Sequence, residues 1–241
     1  MLQRFDWTNT MRAFLLAAGH GTRLHPLTDK TPKCLLPVCG APMLSIWLDL
    51  CHRHGISDVL VNAHAHSGQV RDYLDAHRNG VNVRMVDEPV LLGSAGTVLA
   101  NRDWVDGERC FWILYADVLT NADLGRMMQF HLERGCLATL GGYEVPDPER
   151  CGIMQVDAEG VVRGFVEKPK TPVGRLAFSG LMIADAALLD QIPESRPSDL
   201  GFDVLPRLAG QAAAWQISDY LLDIGTLENY ELVQKTWPGL D

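Results

Sequence analysis

Gly19-His20-Gly21-Thr22-Arg23 follows the apolar run Leu15-Leu16-Ala17-Ala18, and Lys33 lies ten residues beyond Arg23. These residue types at this spacing suit a triphosphate. Glycine lacks the Cβ that blocks close approach or forbids positive φ, so the backbone of residues 16–22 can turn its N–H groups toward phosphate oxygens. Arg23 and Lys33 supply the cationic charge. The spacing is neither the phosphate loop G-x-x-x-x-G-K-[ST] nor the dinucleotide fingerprint G-x-G-x-x-G, because Leu24 stands at the third glycine.

Three further places carry acids that could take part in such chemistry. Asp117 ends the apolar run Cys110-Phe-Trp-Ile-Leu-Tyr-Ala116, and Asp223 follows Leu221-Leu222 and precedes Ile224-Gly225. An acid directly after an apolar strand either caps a turn or binds a cation. Glu167-Lys168-Pro169 places a charge pair at another strand end, which by itself reads as solvated. Glu88 opens the run Glu-Pro-Val-Leu-Leu-Gly-Ser-Ala-Gly96. A carboxylate only accepts, so Glu88 could pair with both donors of guanine, take the amino group of cytosine or adenine, or stand in solvent. Gly93 and Gly96 would let a base lie flat on the backbone, and Ser94 suits the N-cap of the next helix.

The string G-x-G-T-R-L-x-P-L-T-x-x-x-P-K-x-L-x-P-V over residues 19–38 resembles the signature of the sugar-1-phosphate nucleotidyltransferases, also called nucleotide-sugar pyrophosphorylases. Asp117 and Asp223 match the family's G-D-x-L and D-I-G-T-x-E-x-Y segments, with Ala116 in place of the usual glycine. Glu167-Lys168-Pro169 matches its E-K-P segment and Gly152 a glycine beside the sugar, whereas Phe178-Ser179-Gly180 departs from Asn-Ala-Gly or Asn-Thr-Gly. Residues 88–96 resemble the E-P-x-x-L-G-T-A-G of the guanylyl-type enzymes. About five motifs thus fall in the family's order between residues 12 and 233.

The resemblance implies transfer of a nucleotidyl group from an NTP to a sugar 1-phosphate, giving NDP-sugar and pyrophosphate by in-line attack. It implies Mg²⁺ on Asp117 and Asp223, with Arg23 and Lys33 stabilising phosphoryl charge. Leu16, Ala17, Ala18, Gly19, Gly21, Thr22, Arg23, Lys33, Glu88, Gly93, Ser94 and Gly96 would hold the nucleotide, and Gly152, Glu167, Lys168, Ser179 and Gly180 the sugar phosphate. GTP with mannose or manno-heptose 1-phosphate is the expected substrate pair. A uridylyl- or cytidylyltransferase acting on an amino-sugar phosphate or another phosphorylated alcohol would use the same motifs. A catalytically inactive nucleotide-sensing subunit and an NAD-type binder are the remaining alternatives; the second would leave Lys33 and the aspartates without a role.

These residues need a scaffold that brings strand ends together. Apolar strands alternate with amphipathic helices near residues 43–54, 68–77 and 95–102, which predicts parallel strands with right-handed crossovers and a ligand at their carboxyl ends. The strand-like stretches after residue 136 have tight connections such as Asp157-Ala-Glu-Gly160, and a helix is expected over residues 127–135. The resemblance makes the whole a GT-A-like, Rossmann-type three-layer α/β/α fold with a mixed, mostly parallel central sheet. It reads as one domain over residues 1–241, with a nucleotide-binding half at about 11–135 and a sugar-phosphate half at about 136–241. Residues 1–10 read either as a loose arm or as a segment ahead of a start at Met11.

A formal net charge of −9 argues against a nucleic-acid partner, since polyanion binding wants a basic face. No apolar run reaches the ~18 residues of a membrane span, and the N-terminus lacks a signal core, so the expected location is cytoplasmic. The six scattered cysteines fit reduced thiols. His52, His54, His64 and His66 lack recurring carboxylate or thiol partners at ligand spacing, and the tryptophans read as packing. A homodimer is the candidate assembly.

Overall fold

In the computed structural model, which describes residues 11–77 and 80–240, the apolar runs condense into one large sheet. The chain runs β1 (Met11–Leu16), β2 (Pro37–Val38), β3 (Ala41–Pro42), α1 (Met43–Arg53), β4 (Ile56–Ala63), α2 (Ser67–Ala76) and β5 (Asn82–Asp87). It continues through α3 (Ser94–Ala100), β6 (Cys110–Tyr115), β7 (Val118–Thr120), α4 (Leu124–Arg134), β8 (Ala138–Glu144), β9 (Gly152–Val156) and β10 (Val162–Glu167). It closes with β11 (Leu176–Asp185), β12 (Ala212–Gln216), β13 (Leu221–Asp223) and α5 (Leu227–Thr236). The segment 1–10 lies outside the described residues.

The main sheet has the order β10-β9-β11-β6-β1-β4-β5, with β8 against β11 and β12 against β8. All its strands but β10 and β11 share one direction, so it is mixed and mostly parallel. The parallel strands of the first half are joined by helical crossovers. β9 and β10 are joined instead by a turn at Gly160, in which the Asp157 carboxylate accepts from the N–H groups of Glu159 and Val161.

Period-two alternation divides the core between the sheet's two faces. Ala13 and Leu15, Val59 and Val61, Trp112 and Leu114, and Leu181 and Ile183 point to one face. Phe14, Leu60, Phe111, Ile113, Met182 and Ala184 point to the other. Each buried Val, Leu, Ile, Phe or Met among them stabilises the fold by about 1.5–3 kcal/mol through removal from water. The first face is covered by α1, through Leu44, Trp47, Leu48 and Cys51, by α4, through Leu124, Met127 and Met128, and by Val70 of α2. The second is covered by α3 and then by single turns: 3₁₀ turns at Ala186–Gln191 and Leu205–Leu208, and one π turn at Leu200–Val204.

Helix α4 starts three residues earlier than its apolar spacing suggests, because the Asp123 side chain accepts from Arg126 N–H and caps it. Gly135 at φ +58° ends it. A smaller cluster unites β7, β13, α5 and the β2–β3 hairpin through Leu119, Ile224, Val233, Val38, Met43 and Ile46. Gln234 of α5 holds this hairpin, accepting from Cys39 N–H at 2.9 Å and donating to Pro37 O at 2.7 Å. All six cysteines are free, and burial pushes the thiols of Cys34 and Cys51 up to about 12. Trp47 and Trp112 are core residues. No helix among the described residues is long and apolar enough to cross a membrane.

His131 joins α4 to β8. Its ring is buried and its Nδ1 lies 2.9 Å from Thr139 Oγ1. Burial holds its pKa below the ordinary 6.5, only partly opposed by Asp185, so the folded state keeps it neutral. The unfolded chain therefore binds this proton at a higher pH than the native one, and stability falls as pH drops below 6.5 toward the lowered native value. Thermal unfolding of the wild-type chain and of His131→Gln between pH 7.5 and pH 5.5 should show a shallower acid loss in the variant; equal slopes would remove His131 from this role.

Candidate active site

The carboxyl ends of β1 and β6 open onto a pocket of about 400 Å³. Leu16, Ala17, Ala18, Gly19, Gly21, Thr22, Arg23, Lys33, Glu88, Gly93, Ser94 and Asp117 all line it, although they lie up to 101 residues apart in the chain. The loop's shape has a local cause. Gly21 has φ +66°, and a Cβ on it would stand 2.9 Å from Thr28 Cγ2, while Thr28 Oγ1 donates to Gly21 O at 2.9 Å. Gly19 is different, since nothing stands within 4 Å of where its Cβ would be. Its missing side chain leaves open space beside the loop.

The cations and acids meet on one side of this pocket. Lys33 Nζ donates to Asp117 Oδ2 at 2.9 Å. Asp117 sits in the turn between β6 and β7, whose start is fixed by Ala116 N–H donating to Leu16 O at 3.0 Å. β7 pairs antiparallel with β13, placing Asp223 opposite Val118, and Ile224 N–H donates to Asp117 O at 2.9 Å. The ribbon thus makes Asp117 and Asp223 neighbours. Burial, and then the charge of Asp117, raise the Asp223 carboxyl above its ordinary range, with Lys33 and Arg23 opposing. A Cβ at Gly225 would stand 2.6 Å from Arg23 Nη2 and 2.7 Å from Asp223 Oδ1, so only glycine admits both groups there.

Asp223 Oδ1 is buried without a hydrogen-bond partner. An orphaned carboxylate oxygen beside a second carboxylate is a donor set for a hard cation. Among the described residues no group of three or more His, Cys, Asp and Glu could enclose a metal by itself. Mg²⁺ needs no such cage, because it takes one or two carboxylates and completes its shell with phosphate oxygens and water.

Three expectations on the nucleotide side are corrected. Glu88 is 3% exposed, and its carboxylate already accepts from Asn62 Nδ2 at 2.8 Å, Thr97 Oγ1 at 2.5 Å and Leu92 N–H at 3.1 Å. It organises the pocket wall, with Asn62 Oδ1 accepting from Ala17 N–H at 2.8 Å, and does not offer a free bidentate edge to a base. Ser94 is no N-cap: that position is Gly93, and Ser94 Oγ donates to Asp199 Oδ2 at 2.8 Å and accepts from Leu200 N–H at 2.7 Å. Gly96 stands behind the wall, where a Cβ would come within 3.2 Å of Leu92 Cβ and 3.4 Å of Ser198 Oγ.

Gly152, Glu167, Lys168, Ser179 and Gly180 do not line this pocket. Glu167 lies opposite Gly152 in the β9–β10 ladder, and a Cβ on Gly152 would stand 2.5 Å from Glu167 Oε2. Burial raises the Glu167 carboxyl, opposed by Lys168, whose Nζ is 3.5 Å from Glu167 Oε1 and 5.8 Å from the Phe202 ring centre. Gly180 has φ +82° and packs on Tyr115, a residue of the pocket wall. Ser179 is corrected: it is buried, and its hydroxyl accepts from Leu181 N–H, so it serves the strand rather than a ligand. Phe178 stands edge-on to Tyr115 and Phe165, with centroids 5.9 and 6.4 Å away.

The sequence did not single out Asn62, Thr97, Tyr115, Asp199 or Gly225. Asn62 had a signal, as the one amide inside the apolar strand Val59-Leu-Val-Asn-Ala63. Asp199 had none, since nothing local ties it to Ser94.

The chain is similar to known proteins in sequence and in fold. The chain is 30% identical over 226 residues to the mannose-1-phosphate guanylyltransferase catalytic subunit beta of Xenopus tropicalis, covering 91% of this chain and 62% of that protein. It is 29% identical over 238 residues to the UTP–glucose-1-phosphate uridylyltransferase of a Synechocystis species, covering 91% of this chain and 61% of that one. It therefore spans about three fifths of the length of these relatives. The fold matches HddC from Yersinia pseudotuberculosis with a TM-score of 0.81 at 22% identity, covering 95% of this chain and all of that one. It matches a UDP-glucose pyrophosphorylase complexed with UDP-glucose with a TM-score of 0.83 at 20% identity, covering 95% and 98%. A family model described as nucleotidyl transferase matches residues 12–237, and the chain belongs to that family.

Proposed function

We propose that this chain transfers a nucleotidyl group from an NTP to a sugar 1-phosphate, releasing pyrophosphate and an NDP-sugar. The observation that carries the reading is the meeting of Arg23, Lys33, Asp117 and the unpartnered Asp223 Oδ1 beside a glycine-turned loop. A sugar-phosphate oxygen attacks the α-phosphorus, the bond from that phosphorus to the bridging oxygen breaks, and pyrophosphate leaves with the electron pair. The attacking oxygen is already anionic at neutral pH, so no side chain needs to remove a proton. Among the described histidines, His20 lines the pocket and stands edge-on to His64, whose Nδ1 lies 2.6 Å from Glu88 O.

Arg23 and Lys33 take up charge on the α-phosphoryl group and on the departing pyrophosphate. The backbone of residues 16–22 receives the triphosphate, and Asp117 and Asp223 would hold Mg²⁺. When bound, Mg²⁺ supplies charge neutralisation and in-line orientation of the phosphates. Glu167 and Lys168 form the acceptor side, with Lys168 for the sugar phosphate and Glu167 for sugar hydroxyls. GTP with mannose or manno-heptose 1-phosphate is the preferred pair in this reading, supported by the guanylyl-type relative. The uridylyl-type relative supports UTP with glucose 1-phosphate as the second reading. A matrix of NTPs against sugar 1-phosphates with pyrophosphate detection tests both; best turnover with UTP or CTP would remove the guanylyl assignment, and no pyrophosphate with any pair would remove the reaction.

Asp117→Asn and Asp223→Asn should each lower kcat by about 10²–10³-fold at saturating Mg²⁺. Asp223→Asn should also raise the melting temperature measured in chelator, because it removes a charge that burial and Asp117 disfavour. Near wild-type turnover, or a lowered melting temperature for Asp223→Asn, would contradict these placements. Lys33→Ala should act on kcat and Lys168→Ala on KM for the sugar phosphate; a Lys168 variant that weakens NTP binding and spares the sugar would merge the two half-sites. Glu88→Gln presents a donor to Asn62, Thr97 or Leu92, so it should raise KM for every NTP by about ten-fold without switching the preferred base. A selective loss of GTP use in that variant would restore Glu88 as a base reader.

A further inference from the structure

The residues 198–204 belong by sequence to the acceptor half, yet they hold the nucleotide side together. Ser198 O accepts from the N–H groups of Ala95 and Gly96 at 3.1 Å each, and Ser198 N–H donates to Leu92 O at 2.9 Å. Contact is this close because Gly93 carries no side chain: a Cβ there would stand 2.2 Å from Ser198 O, and its φ of +80° suits glycine. Asp199 then anchors the side chains. Its Oδ2 accepts from Ser94 Oγ at 2.8 Å, and its Oδ1 accepts from Phe202 N–H at 3.1 Å.

The Ser94 hydroxyl has one proton and gives it to Asp199, while it accepts from Leu200 N–H at 2.7 Å. The direction of this pair of bonds, Leu200 N–H to Ser94 to Asp199, is set by the acceptor-only carboxylate at its end. Tyr115 and Ser94 both line the nucleotide pocket, and Asp199 does not. The same turn touches the acceptor side, since a Cβ on Gly201 would stand 2.6 Å from Glu167 Oε2.

We propose that Asp199 is a positioning residue, which latches the start of α3 and orients the Ser94 hydroxyl in the nucleotide pocket from the acceptor half of the chain. The nucleotide part of this assignment rests on the function proposed above; the latch itself does not. Replacing Asp199 by asparagine keeps the shape but offers Ser94 a donor, and Ser94→Ala removes the same contact from the other side.

The test has two readouts on the full chain. In the absence of ligand, amide hydrogen exchange over residues 94–98 should accelerate about ten-fold in Asp199→Asn and in Ser94→Ala. Titration with a non-hydrolysable GTP or UTP analogue and Mg²⁺ should show about ten-fold weaker binding in each of Asp199→Asn and Ser94→Ala. The Asp199→Asn/Ser94→Ala double variant should be no weaker than the poorer single, because both break the same bond. Unchanged exchange in Asp199→Asn and Ser94→Ala overturns the latch whatever the chain binds. Additive losses of about a hundred-fold overturn the orientation of Ser94 by Asp199. A wild-type chain that binds neither analogue, with exchange accelerated in the variants, overturns the nucleotide reading and leaves the latch in place.

Discussion

The β7–β13 ribbon holds two carboxylates as neighbours, Asp117 in the pocket wall and Asp223 half-buried two residues before the pocket-lining Gly225, and the surrounding architecture answers to their repulsion. Asp223 is disfavoured as an anion first by burial and then by Asp117, and the partners that offset this are Lys33 and Arg23. Lys33 arrives from a 3₁₀ turn after the glycine loop, and Arg23 reaches the carboxylate across Gly225, where no Cβ intervenes. The ribbon of β7 and β13 fixes the backbones, and α5 with the β2–β3 hairpin packs beneath it through Leu119, Ile224 and Val233. Asp223 Oδ1 is nevertheless left without a hydrogen-bond partner, which a group arranged for stability alone would not be.

The same economy governs the opposite wall. Glu88 is buried, yet Asn62, Thr97 and Leu92 N–H donate to its two oxygens, so it is a fixed acceptor that holds the β5–α3 connection to β4. Asn62 in turn takes an N–H from Ala17 in the glycine-bearing segment. Polar groups buried behind the pocket wall must be satisfied by one another, because a buried group left unpaired costs its desolvation. This explains how a carboxylate can stand in the wall of a pocket suited to an anion.

The sheet gives these groups their separation and their common direction. Parallel β1 and β6 end at the same level, which puts the loop of residues 16–22 beside Asp117. Antiparallel β11 brings Gly180 and Phe178 against Tyr115 from the other half. The outer layer on that side is made of single turns rather than long helices, and one of those turns bridges α3 and Glu167. The two halves are thus joined at the site, not merely side by side along the chain.

The chain's own pattern was enough for β1, β4, β5 and β6 and for the helices of the first half, because apolar alternation and glycine or proline boundaries act over a few residues. It was enough also for the glycine loop, Arg23, Lys33 and the two aspartates as candidates, since their types and order are local facts. It did not determine what Glu88 does. Whether a carboxylate is free or spent depends on donors 26 and 9 residues away, and only packing decides that they converge. The three-residue strands β7 and β13 carry too short a pattern to read, so the pairing that makes Asp117 and Asp223 neighbours belongs to the tertiary structure. So do the buried place of Ser179 and the bond from Ser94 to Asp199 across 105 residues. Local sequence sets which groups a segment can offer; the long-range closure of the sheet decides which of them remain unpartnered, and those are the groups left to act.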